Sequence, residues 1–259
     1  MTTTAVGPLL RTWRAQRHRS QMDLALDVGV SPRHLSFVET GRARPSAELV
    51  LALAEGLEVP LRERNTLLVA AGHAPRYRQT PLDAPEMERA MAAVQRILDA
   101  HDPYPGVVLD RRWNVVATNG AARGLMTGLP AHLTTPVPNI FRLSLHPEGM
   151  AARTTNLAEW ADHLLWQLDR SVTLTGDPDV AALAEEVRAY PNLAELPRPA
   201  PPEQPEILLS VKLETPAGTL DLFTTLTTFG TPRDITLDEL VIELFYPADD
   251  ATDRLLQGG

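Results

Sequence analysis

Residues Ser20–Ser46 read SQMDLALDVGVSPRHLSFVETGRARPS, and a few small residues in this stretch set its local structure. Ser20 stands where a hydroxyl can accept the free N–H groups that open a helix, and Gly29 stands where a helix stops. A helix over Gln21–Val28 follows. Ser31 repeats the opening signal, with Pro32 at the first helical position, where its missing N–H costs little. Leu35 and Val38 give this next helix a buried face, and Thr40-Gly41 ends it. The result is two short helices joined by a tight turn, with Arg33 and His34 early on the second and Arg42 and Arg44 in the loop beyond it.

Outward from this stretch the pattern stays helical. Leu9, Leu10, Trp13 and Arg17 follow helical spacing from Pro8, Ser46 opens SAELVLALAEGL, and Pro60 introduces LRERNTLLVAAG, stopped at Gly72. Five short helices with brief turns predict a small all-α bundle over residues 1–75. Residues 76–85 carry Pro81 and Pro85 and read as a linker.

Charge divides the chain in the same way. The formal net charge is −9, yet residues 1–79 hold 11 Arg against 7 acids, while the remaining 180 residues hold 13 basic residues against 26 acids. A basic head on an acidic body implies that the head meets a polyanion. Cysteine is absent, so disulfides, thiolate nucleophiles and sulfur-ligated zinc are excluded. The chain carries no apolar run of membrane-spanning length, and MTTTAVGPLLRTWR lacks the apolar core of a signal peptide. A soluble cytoplasmic protein with no membrane partner is the expectation.

From residue 86 the pattern changes. Met87, Met91, Val94 and Leu98 mark one face of a helix over about residues 86–100. Two strand-like runs follow, GVVLD and NVVATN. Next come AARGLMTGL, an amphipathic segment over about residues 157–174, and DVAALAEEVRAY, all helical in pattern. Residues Pro191–Pro205 contain six prolines and read as a loop. Three strand-like runs close the chain: EILLSVKLET, TLDLFTTLTTFG and LVIELFYP. Two strands, several helices and three strands predict an α+β domain with an antiparallel sheet, PAS-like in arrangement, over residues 86–250. Residues 251–259 read as a tail.

A helix, a tight turn and a second helix with polar early residues is the geometry that places the second helix in a DNA major groove. Residues Gln21, Leu24, Ala25, Gly29, Val30, Ser31, Leu35, Glu39, Gly41 and Pro45 stand at positions that resemble the helix-turn-helix of XRE (Cro/C1-type) transcriptional regulators. The resemblance implies that Arg14 pairs with Glu39 to hold the recognition helix. It also implies that Gln21 grips a phosphate from a helix N-terminus. Ser31, Pro32, Arg33, His34, Ser36 and Phe37 occupy the groove-facing turns. Arg33 either reads guanine or contacts phosphate, and Phe37 either meets a thymine methyl or turns into the core. Thr40, Arg42 and Arg44 are expected on phosphates. The partner is a double-stranded DNA operator.

In the body, HDPYPGVVLDRRWNVVATNGAARGLM, NIFRLSLHPEGMAARTTNLAEWADHLL and DLFTTLTTFGTPRDITLDELVIELFYPAD carry a second resemblance, to the ligand-binding domain of MmyB-like regulators. The matching positions are Pro105, Asp110, Trp113, Asn119, Asn139, Arg142, Pro147 and Trp160. The resemblance implies a PAS-like domain that binds a fatty acid or similar apolar molecule. Met126, Phe141, Trp160, Leu164, Phe223 and Phe229 are candidate walls of its pocket, with Arg142 or His146 as carboxylate anchors. Each aromatic taken singly is more often core than pocket lining, and Arg142 could equally hold an internal acid.

No nucleophile elbow, phosphate loop, dinucleotide fingerprint or zinc-protease motif occurs. His101, His132, His146 and His163 lie in separate segments without metal-ligand spacing. The expectation is therefore a non-enzymatic homodimeric regulator, without metal or cofactor, whose body senses a small apolar ligand and modulates operator binding. The alternative reading has the body recruit a protein partner instead.

Overall fold

A computed structural model describes residues 5–197 and 207–258. Packing divides the chain into two units, Met1–Ala84 with Gly230–Asp238, and Pro85–Phe229 with Glu239–Gly259. The first contains α1 (Val6–Gln16), α2 (Gln21–Val28), α3 (Pro32–Glu39), α4 (Ala47–Gly56) and α5 (Leu61–Ala70). The second contains α6 (Glu88–His101), β1 (Gly106–Leu109), β2 (Val115–Thr118), α7 (Gly120–Met126), α8 (Ala131–Thr134), α9 (Ile140–Leu145), α10 (Leu157–Thr175), α11 (Pro178–Arg188), α12 (Pro191–Ala194), β3 (Val211–Thr215) and β4 (Gly218–Thr228). A single helical turn, α13 (Ile235–Asp238), returns to the first unit before β5 (Val241–Pro247) and α14 (Asp250–Gln257) complete the second.

The capping serines act as their positions dictate. Ser20, Ser31 and Ser46 accept the backbone N–H of Asp23, His34 and Leu49 at 3.1, 3.1 and 3.2 Å. Gly29 closes α2 at φ 73°, a left-handed conformation that a side chain would strain. Helix α1 begins at Val6, ahead of the predicted Pro8, because proline is tolerated within a first turn. Leu10, Leu24, Ala25, Leu35, Val38, Val50 and Leu53 form the buried centre. At Gly7 the α1 backbone approaches α3 so closely that a Cβ would lie 2.5 Å from the Glu39 carbonyl oxygen.

The first unit also recruits a segment distant in sequence. Asp238 accepts the N–H of Leu61 at 3.0 Å and so caps α5, whose own preceding residue is Pro60. Asp234 accepts the Thr80 N–H and, at 2.6 Å, its hydroxyl. The Ile235 N–H donates to the Arg78 carbonyl at 2.8 Å, and the Ile235 side chain is buried. Within 76–85, Arg78 and Thr80 thus hold defined positions, a pairing that no local pattern in the sequence encodes.

In the second unit the strand order is β2-β1-β5-β4-β3, all neighbours antiparallel. The first strand pair joins the last three through β1 and β5, with Val107 opposite Glu243. Alternation then assigns the faces. Gly106 and Leu244 lie toward Leu98 and His101 of α6, so Val107, Glu243 and Phe245 lie on the other face. The core on that face includes Phe141, Trp160, Leu164, Leu168, Leu220 and Leu222.

Three local readings change. The run expected as a strand, EILLSVKLET, is outside any strand at residues 207–210 and becomes one at Val211. Pro191 opens the helical turn α12 at its first position, where proline is preorganised, so the proline-rich stretch begins as a helix; its residues 198–206 lie outside the described ones. Residues 251–257 continue α14, docked by the Asp221 N–H donating to the buried Thr252 hydroxyl at 2.9 Å. On the outer side of α10, Trp166 is 57% exposed beneath the Arg170 guanidinium.

Candidate nucleic-acid interface and ligand cavity

Helix α3 is held from behind by Glu39, whose side chain is wholly enclosed. Arg14 donates to both its oxygens, Nε at 2.7 Å and a terminal nitrogen at 3.0 Å, and Gln21 donates at 2.8 Å. Arg11 adds a donation to the Glu39 carbonyl at 3.3 Å and a charge 3.8 Å from the carboxylate. Burial opposes ionisation of Glu39. The hydrogen bonds from Arg14 and Gln21 and the charges of Arg14 and Arg11 outweigh it and hold the carboxyl below the usual glutamate range. The hydrogen bond to Glu39 in turn raises Arg14 above the ordinary arginine value. Arg11 was not singled out in the sequence; its signal was its place one turn before Arg14 on the same helix face.

The candidate DNA contacts separate into two sets. Gln21 is turned inward to Glu39 rather than left at the helix N-terminus. Arg44 lies across the end of α5, donating to the Ala71 carbonyl at 3.2 Å. The Ser31 hydroxyl caps α3, and the Thr40 hydroxyl donates back to the Ser36 carbonyl at 2.7 Å. Pro32, His34, Ser36 and Phe37 are half-buried along α3, while Arg33 and Arg42 are exposed and make no ion pair among the described residues. The Arg33 guanidinium lies 5.4 Å from the Phe37 ring centroid, so Phe37 supports that cation instead of entering the core. Groups of this kind, outside any internal ion pair, can replace the counterions of a phosphate backbone or reach base edges.

The second unit encloses a cavity of about 60 Å³ between the sheet and helices α7, α9 and α10. One water needs roughly 10–15 Å³ of such volume, so the space suits a small ligand. Of the expected walls, Met126, Trp160 and Leu164 line it, joined by Trp113, Val115, Ile140, Met150, Val211, Leu222 and Phe245. The other candidates stand elsewhere. Phe141 is fully buried behind the wall, edge-on to Trp113 at 5.2 Å. Phe223 stacks on Tyr246 at 5.5 Å, and Phe229 is half-buried beyond the end of β4.

The two carboxylate anchors also lie away from the cavity. Arg142 donates to both oxygens of Glu186 at 2.8 and 2.7 Å, satisfying its fork internally. The hydrogen bond from Arg142 holds Glu186 below the usual range, while burial and Glu186 push the neighbouring Tyr190 above its ordinary value. The His146 ring packs edge-on against Tyr190 and His132. Folding brings His132 to His146 and Glu148, which are neighbours in sequence, with the three ligand-type atoms within 4.8 Å of one another. The Nδ1 atom of His146 already accepts the Glu148 N–H at 3.1 Å.

Sequence reasoning missed the cavity's polar groups: Ser144, Thr154, Gln167 and, above all, Glu243. A carboxyl in the apolar run LVIELFYP was the available signal, because a charge amid a buried strand requires a reason. Burial pushes Glu243 up to about 7, against a hydrogen bond with Thr224 that lowers it. Several positions that carried the family resemblance are scaffold. Asn119 accepts the Gly106 and Ala122 N–H groups at 3.0 and 3.1 Å, Asn139 accepts that of Phe141 at 3.1 Å, and Asp110 accepts those of Arg112 and Asn114 at 2.8 and 2.9 Å.

Comparison with known proteins matches both units. A family model described as the MmyB-like transcription regulator ligand binding domain matches residues 90–258, and one described as helix-turn-helix matches residues 10–64. The search of curated proteins returns no match.

Proposed function

The chain belongs to the MmyB-like transcription regulators, and we propose that a small apolar molecule in its second unit sets the affinity of its first unit for an operator. The exposed Arg33 and Arg42, on a helix fixed by the Arg14–Glu39 pair, support the DNA-binding half. The apolar cavity supports the sensing half, with an acyl-like chain as its natural occupant. The five-stranded antiparallel sheet with helices and a cavity on one face supports the PAS-like reading.

One observation carries the coupling between the halves. Gly230–Asp238 belongs to the first unit, yet it is the connection between β4 and β5, and those strands contribute Leu222, Glu243 and Phe245 to the cavity wall. A ligand that favours one arrangement of β4 and β5 therefore biases the segment that caps α5. The shift is limited by the ligand's differential affinity for the two arrangements. A homodimer reading two half-sites supplies the specificity that one small module lacks. The families matched are those of regulators, which favours a non-enzymatic role, and no described helix is long and apolar enough to cross a membrane.

The test begins with selection of duplexes from a random pool, followed by fluorescence anisotropy on the enriched site. Specific binding that weakens steeply with salt, and that changes after apolar molecules are extracted and restored, is the expected result. Affinity indifferent to both salt and extraction would sink the proposal.

A further inference from the structure

The cavity's own chemistry narrows its ligand, on the reading that this cavity is the sensing site. Among the described residues that line it, Glu243 is the one ionisable side chain; arginine, lysine and histidine are absent from its walls. The remaining polar side chains are Ser144, Thr154 and Gln167, all uncharged. Glu243 sits mid-strand on β5 between Ile242 and Leu244, paired across to Val107 on β1 and Leu226 on β4, with 8% of its surface exposed. We infer that the cavity holds an apolar ligand by an uncharged hydrogen-bonding head group, such as an alcohol, placed against Glu243, and discriminates against the matching carboxylate.

The argument is electrostatic. A carboxylate brought into this cavity finds no cation, and burying an unpaired anion is costly. It also meets a second acid. Two carboxyl groups sharing an enclosed site cannot both ionise, so one proton must be retained by the pair. An alcohol escapes this requirement. It accepts from the protonated Glu243 carboxyl and donates to the ionised one, so it is held in either state. The cations that a carboxylate ligand would need are engaged elsewhere, Arg142 on Glu186 and Arg112 on Asp177 and Asp179.

This gives a pH signature. No other titratable group faces Glu243 from the described cavity walls, on the strands or on the helices. Burial sets its titration near neutrality, at about 7. Carboxylate binding must retain a proton, so its affinity falls about tenfold for each pH unit above that value, whereas alcohol binding changes little.

The experiment uses the full chain and three probes of equal length, 1-octanol, octanoate and octylamine, each displacing a neutral fluorescent apolar dye at about pH 6 and about pH 8. The expected result is octanol at least about tenfold tighter than octanoate at the higher pH, with the gap narrowing at the lower. Glu243→Gln, which keeps the shape and a donor, should improve octanoate and close the part of that gap that grows with pH, while the cost of an anion without a cation remains. Its melting temperature, measured alongside, reports that the variant is folded. The wild-type comparison stands without it. Octanoate matching octanol in the wild-type protein, an unchanged ratio in Glu243→Gln, or octylamine binding tightest would each overturn the inference. Failure of all three probes to displace the dye or raise the melting temperature would instead remove the sensing cavity itself, and the inference with it.

Discussion

Glu39 and Glu243 are both buried glutamates, at 2% and 8% exposure, one in each unit, and their ionisation is driven in opposite directions. In the first unit Glu39 is surrounded by donors and cations, so ionisation is favoured despite enclosure. In the second, Glu243 has a Thr224 hydroxyl and apolar walls, and burial holds its proton to near neutral pH. Burial sets the stakes in both places, and the partners decide the outcome. The first unit uses its buried charge to fix a helix rigidly. The second keeps an acid in a space with room for something else to bind it.

The sharpest way to break this contrast is to remove the partners of Glu39. Arg14→Met leaves an enclosed carboxylate held by Gln21 and Arg11 alone, and denaturant unfolding should show the first unit losing about 3–5 kcal/mol. Adding Glu39→Leu should restore most of that loss; if it does not, the Arg14 stem rather than its charge carries the stability. The same pair makes the first unit acid-sensitive. Because the folded value of Glu39 is depressed, its contribution is present above about pH 4.3, the unfolded glutamate value, and is lost as pH falls through the folded one.

Glu243 carries the opposite sign. Its folded value, about 7, lies above the ordinary glutamate value of about 4.3, so the unfolded chain releases this proton first and stability falls as pH rises between the two. Glu243→Gln should therefore stabilise the second unit by up to about 3 kcal/mol above pH 7, with the gain gone below about pH 4.3. A gain that does not vary with pH would show that packing, not ionisation, is the cause.

Smaller effects probe function. Arg33→Ala should cost about 1–3 kcal/mol of discrimination between operator and mismatched duplexes, while Arg42→Ala should weaken all duplexes alike and flatten the salt dependence. Identical behaviour of the two variants would assign Arg33 to phosphate. Asp238→Ala removes the cap on α5 and should cost the first unit about 1 kcal/mol. It should also blunt the response of operator binding to ligand, measured by anisotropy with and without octanol.

Much of the first unit was legible in its residues. Ser20, Ser31 and Ser46 cap the helices they precede, Gly29 turns where φ must be positive, and α2 runs over Gln21–Val28 as expected. The strands of the second unit were visible as apolar runs, and the α+β class followed from their order. The site was less legible. Gln21 and Arg44 read as DNA contacts from their helix and loop positions; folding adds a donation from Gln21 to Glu39 and one from the exposed Arg44 to the Ala71 carbonyl, which no local pattern shows. Arg142 and His146 read as anchors because they are polar in an apolar region, and Arg142 answers to Glu186, 44 residues away.

The dividing line is range. By itself the sequence determined whatever is settled within a turn or two of chain: caps, helix ends, strand periodicity, and the split between a basic head and an acidic body. Only the tertiary structure decided which faces meet. It sent residues 230–238 back to α5, removed the arginines from the cavity, and left Glu243 as the ionisable group on its walls. The physical reason is that a cap or a turn is satisfied by its own neighbours, whereas the fate of a buried charge depends on partners that packing alone brings within reach.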